Sequence, residues 1–104
     1  MPLPRYAAKR DISEPEIVRA LEQCGFSVER MDTPVDLLVS FRQHCWLVEC
    51  KTGKGKLNAN QKAFLDRWKG PPVVVLRDAQ EAIDFAVEMA QRIQACPSNW
   101  RVDR

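Results

Sequence analysis

The chain has 104 residues, 45% of them hydrophobic and 29% charged, with a formal net charge of +2 at pH 7. That make-up describes one ordinary globular domain over residues 1–104, with room for a single core but not for a catalytic domain plus a separate recognition domain. No apolar run approaches the roughly 18 residues of a membrane span, and the opening Met1 to Tyr6 lacks the charged-then-apolar pattern of a secretory signal, so the expectation is a cytoplasmic protein with no membrane partner.

A loose arm is expected through about Asp11, followed by a first helix from about Glu14 to Cys24. Ser13 with Glu16 fits a capping box, Pro15 suits the first turn, and Gly25 supplies the stop. The helix's apolar stripe is Ile17, Val18, Leu21 and Cys24; Glu14 lies on that stripe and Glu16 nearly opposite it. Phe26–Met31, Val35–Phe41 and Cys45–Lys51 read as three strands. A second helix follows, about Ala59 to Trp68, capped by Asn58 and ended by Gly70-Pro71-Pro72. Val73–Leu76 is all apolar and suits a buried strand. Asp78 with Glu81 repeats the capping-box pattern and opens a third helix through about Ala95; Pro97 stops it, leaving residues 97–104 as a tail. The order α-β-β-β-α-β plus a last helix predicts an α/β domain whose mixed sheet is flanked by helices. Trp46, Trp68 and Trp100 are expected in the core. The third helix carries a wide apolar arc (Ile83, Phe85, Ala86, Val87, Met89, Ala90, Ile93), and a homodimer is expected to cover its excess.

The cysteines suggest neither disulfides nor zinc. Cys24 falls on a helix stripe, where a free thiol behaves as a small hydrophobe. Cys45 and Cys50 point to opposite faces of one strand, and His44 lies in the expected turn, so no pair has ligand spacing.

The chemistry gathers elsewhere. Glu49 and Lys51 are two residues apart on one strand and share a face. With an even-length turn around Gln43 and His44, Asp36 falls opposite Lys51 and projects from the same side. Two carboxylates and an ammonium then meet at one end of a two-stranded ribbon, the outline of a metal-and-phosphate site. The charge is uneven as well: residues 51–69 carry six basic groups against one acid, and the rest of the chain ten basic against thirteen acidic. The loop from Lys51 to Lys56 contains two glycines, which allow a ligand to approach the backbone closely. Lys54, Lys56 and Lys62 are expected to contact phosphates without reading sequence.

Pro34-Val35-Asp36 and Glu49-Cys50-Lys51, set in this order of elements, resemble the PD-(D/E)XK nuclease superfamily. Here Val35 separates the proline from the aspartate, which the family more often has adjacent. The segment Glu14 to Phe26 looks like the opening helix of archaeal Holliday-junction resolvases, and Leu57-Asn58-Ala59-Asn60-Gln61 is similar to an element of VRR-NUC and related small phage nucleases. The resemblance covers residues 14–77. It implies a restriction-endonuclease-like core and a Mg²⁺-dependent DNA endonuclease, with Mn²⁺ as a substitute, acting on branched or junction DNA in a bacterial or phage-infected cell. Asp36 and Glu49 are then the metal ligands, completed by the Cys50 backbone carbonyl. Lys51 orients the attacking water and stabilises developing charge, Glu14 is a further acid, and Gln61 serves as cap and as active-site contact. The alternative is a catalytically silent nucleic-acid-binding or scaffold protein that retains the fold. A Ser-His hydrolase is excluded, because the sole histidine has no convincing nucleophile motif.

Overall fold

The computed structural model describes residues 11–53 and 56–95. Lys54, Cys96, Trp100, the arm before Asp11 and the tail 97–104 lie outside the described residues. Seven elements follow one another: α1 (Glu14–Gln23), β1 (Ser27–Arg30), β2 (Leu37–Phe41), β3 (His44–Cys50), α2 (Ala59–Arg67), β4 (Val74–Leu76) and α3 (Ala79–Ala95). The sheet runs β1-β2-β3-β4, antiparallel at its first two pairings and parallel between β3 and β4. A parallel pair requires a crossover, and α2 provides it. This is the α/β order expected from the sequence, with a mixed sheet and a last helix.

Strand alternation divides the sheet into two faces. Leu37, Val39, Val48, Cys50 and Leu76 are buried with Ile17, Ala20 and Leu21 of α1 and with Ala82, Phe85 and Ala86 of α3. Helices α1 and α3 pack against each other over this core face. Leu38, Leu47, Glu49 and Val75 take the other parity, and there α2 contributes buried Phe64 and the Gln61 side chain that reaches Glu49. Among the described residues no helix is long and apolar enough to cross a membrane.

Several local expectations change. The β2–β3 turn is Arg42-Gln43, both at positive φ (48° and 70°), as the twist of a two-residue hairpin demands. His44 therefore belongs to β3, paired with Phe41. Ser13 does not cap α1 with its side chain: its own backbone is already helical (φ −77°, ψ −14°), and its Oγ donates to Asp11 Oδ1 at 2.6 Å instead. At α3, Asp78 accepts from the Glu81 N–H (2.8 Å), but the Glu81 carboxylate reaches back to the Arg77 N–H rather than to that of Asp78. Trp46 packs as expected, with its ring 5.8 Å from Phe26 and 5.4 Å from Phe85. Trp68 is not core. It follows α2 in extended backbone, which takes it off the helical stripe; it stacks on Phe64 at 5.1 Å and stays 38% exposed. On α3, Phe85 and Ala86 turn inward while Ile83 and Val87 are exposed. Cys24, Cys45 and Cys50 are free thiols.

Candidate functional site

Moving the turn one residue earlier shifts the hairpin register by two in total, so facing is preserved but partners change. Leu37 pairs with Val48, and one further step along the ladder sets Asp36 across from Glu49, not from Lys51. The Asp36 N–H donates to Glu49 Oε1 at 3.2 Å, and the Cys50 N–H donates to Asp36 Oδ2 at 2.9 Å. Each acid thus holds the backbone of the other strand at the point where the ribbon ends. Lys51 comes from the Glu49 side as expected, its Nζ 3.4 Å from Glu49 Oε2.

Helices close the site from both faces. Asn58 and Gln61 form a complete capping box: the Gln61 N–H donates to Asn58 Oδ1 (2.8 Å), and the Asn58 N–H donates to Gln61 Oε1 (2.9 Å). Gln61 Nε2, held by that box, donates to Glu49 Oε2. One amide therefore caps the helix and fixes the carboxylate. Replacing Asn58 by Ala should cost about 1 kcal/mol in urea unfolding, the usual loss of an N-cap.

From the core face, α1 delivers Glu14, which is fully buried at 0% exposure and pairs with Arg30 Nε at 3.3 Å. Oxygens of Glu14 and Asp36 and the Cys50 sulfur lie within 4.8 Å of one another. Cys50 does turn toward the core, as strand parity requires. Asp36 precedes β2 and is not bound to one face, so its carboxylate meets that sulfur at the strand end.

Burial raises the Glu49 carboxyl above its ordinary range, and the Asp36 charge raises it further; Gln61 and Lys51 oppose both. Burial also pushes the Cys50 thiol up, reinforced by the charges of Asp36, Glu14 and Glu49. A thiol kept protonated is a poor ligand for a hard cation, whereas carboxylate oxygens suit Mg²⁺ or Mn²⁺. Among the described residues, the side chains close enough to share one ion are Glu14, Asp36 and Cys50, so the hard oxygens there come from Glu14 and Asp36, while the Glu49 oxygens are engaged by the Asp36 N–H, Gln61 and Lys51.

Two participants were not foreseen. Arg30 ends β1 and is paired with Leu37, so the meander register itself brings it beside Asp36; that signal was present in the strand pattern. Asp11, expected at the end of a loose arm, is a structural anchor. Its carboxylate accepts from the Thr52 N–H and the Ser13 N–H, each at 2.9 Å, and from both hydroxyls. It thereby ties the start of α1 to the loop after β3, a contact across 41 residues with no local sequence signal. Partial burial raises the Asp11 carboxyl, but the hydrogen bonds from Ser13 and Thr52 outweigh it and hold it at about 2. A carboxyl lowered on folding stabilises the protein above its unfolded value near 4, and that contribution disappears as pH falls through about 2. Urea unfolding between pH 5 and 2 should show a shallower pH dependence in Asp11→Asn than in the parent chain.

Lys56 and Lys62 are exposed and line a cleft with Lys51; the placement of Lys54 is not described. The chain matches no protein-family model, no curated protein and no solved structure.

Proposed function

We propose that this protein is a divalent-metal-dependent DNA endonuclease of the PD-(D/E)XK type, selecting branched or junction DNA by shape. The observation that carries the reading is the meeting of Asp36, Glu49 and Lys51 at one strand end, closed by Gln61 from one helix and Glu14 from another. Stability is a weak reason for such an arrangement. Burying ionised acids costs free energy, and the raised Glu49 carboxyl records that cost. Sites that violate local stability in this way are commonly functional.

In this reading Asp36 and Glu49 hold Mg²⁺ or Mn²⁺, with Glu14 behind them. Bound there, the ion supplies Lewis-acid stabilisation of the phosphoryl oxygens and a more acidic attacking water. The protein's own groups do the rest. Gln61 keeps the Glu49 carboxylate in one orientation, and the Cys50 N–H does the same for Asp36. Lys51 sets an ammonium beside Glu49, where it meets the charge that develops on the phosphate.

The test is incubation of the purified protein with Mg²⁺ or Mn²⁺ and a panel of linear, nicked, flapped and four-way DNAs. Metal-dependent cutting concentrated on the branched substrates is the expected result. Binding to the same DNAs without cutting under any metal would instead assign the protein to the silent, scaffold-type alternative.

A further inference from the structure

We propose that the cleft between the end of β3, the first turn of α2 and the end of β4 binds a backbone phosphate of the nucleic-acid strand next to the one being cut, anchored by Arg77 and Lys62. The identity of the strand rests on the nuclease reading above; the anion chemistry stands apart from it. The cleft encloses about 250 Å³ and is lined by Lys51, Lys56, Leu57, Lys62, Val75 and Arg77. Four of these six residues are cationic and none is acidic. Lys51 is balanced by Glu49, and the exposed Lys56 and Lys62 bring further positive charge to the same space, which favours an anion there.

Each wall has a distinct origin. Lys51 is shared with the carboxylate site, its Nζ 3.4 Å from Glu49, which sets the cleft directly beside the proposed scissile position. Arg77 follows β4, and its Nη1 donates to the Gly53 carbonyl at 2.6 Å, so the guanidinium also fixes the start of the loop after β3. Lys62 occupies the fourth position of α2, a helix with no acid in its first turn. A cation near a helix N-terminus is disfavoured by the helix dipole, so helix stability does not account for Lys62. Val75, the register partner of Glu49, and Leu57 add half-buried apolar lining beneath these charges. A guanidinium fork with ammonium point charges is the pattern that suits a phosphate group.

The experiment uses the whole chain without divalent metal. Inorganic phosphate is titrated against it by two-dimensional NMR at constant ionic strength, and a fluorescent single-stranded oligothymidine is followed by anisotropy over a salt series. Phosphate should shift the amides of Lys62, Val75 and Arg77 saturably, where chloride does not. Lys62→Ala and Arg77→Ala should each weaken the oligonucleotide about tenfold, the loss of one charge-assisted hydrogen bond. Each should also reduce the salt slope by about 0.7. Arg19→Ala, which removes an exposed charge from α1, should leave both readings as they were. Lys62 is exposed, so its variant keeps the test valid if Arg77→Ala loosens the loop. Wild-type affinity in Lys62→Ala overturns the proposal, as does an equal loss in Arg19→Ala. Equal binding of 5′-phosphorylated and 5′-hydroxyl strands supports a backbone phosphate, and dependence on the terminal phosphate overturns that assignment. A protein that binds phosphate here but never cuts refutes only the nuclease reading; one that cuts while both cleft variants bind normally refutes only the cleft.

Discussion

Replacing Glu49 by Ala is expected to lower the cutting rate by roughly a thousandfold or more while leaving DNA affinity, measured with Ca²⁺ in place of Mg²⁺, within a few fold. The size follows from the position of this one carboxylate. Its Oε1 holds the Asp36 backbone, its Oε2 receives Gln61, and Lys51 stands 3.4 Å away. Losing it removes the proposed metal ligand and the carboxylate beside the Lys51 ammonium, and several kcal/mol of transition-state stabilisation is the usual contribution of a catalytic ion. In the proposed reading DNA affinity rests on the cationic cleft, whose Lys56, Lys62 and Arg77 the substitution does not touch. Single-turnover cleavage with saturating enzyme separates the two effects, since it reads the chemical step without the binding step. Undiminished cutting by Glu49→Ala would remove the proposed centre altogether.

The largest loss of stability at the site is expected from Arg30→Ala. Glu14 is completely buried, whereas the Arg30 side chain paired with it at 3.3 Å is 51% exposed. An exposed pair contributes about 0–1 kcal/mol, while breaking a buried one costs about 3–5 kcal/mol because a charge is stranded. This pair has one partner of each kind, and a loss of about 2 kcal/mol is expected, or roughly 10 °C in melting temperature for a domain of this size. The same substitution in a Glu14→Gln background should cost much less, because the Arg30–Glu14 ion pair is already gone. Equal losses in the two backgrounds would show that Arg30 acts through packing of its stem and not through Glu14.

Both effects depend on groups whose side of the sheet was readable before any coordinates. Alternation places Glu49 and Lys51 together whatever the hairpin register, whereas Asp36, just ahead of β2, turns its carboxylate to the Cys50 N–H and into reach of Glu14. Helical periodicity turns Glu14 inward and Glu16 outward, and they are buried and exposed accordingly. Asn58 and Gln61 form the reciprocal cap that their three-residue spacing suggests. Ser13 and Glu16 have the same spacing and do not, because Asp11, two residues upstream, captures the Ser13 hydroxyl. Trp68 illustrates a related limit: periodicity holds only as long as the helix does, and one residue past its end the indole is stacked in solvent.

Residue identity and spacing by themselves therefore determined the order of elements, the two faces of the sheet and the trio at the strand end, since all three follow from local periods of 2 and 3.6 residues. Tertiary structure alone decided the rest. It set Asp36 against Glu49 through the position of a two-residue turn, carried the Asp36 carboxylate to the Cys50 N–H, bound Asp11 to Thr52 across the fold, and brought Arg77 to the wall that Lys51 and Lys62 share. These contacts join segments far apart in the chain, and the closure of such loops is settled by the packing of the whole core and not by any preference within a local window.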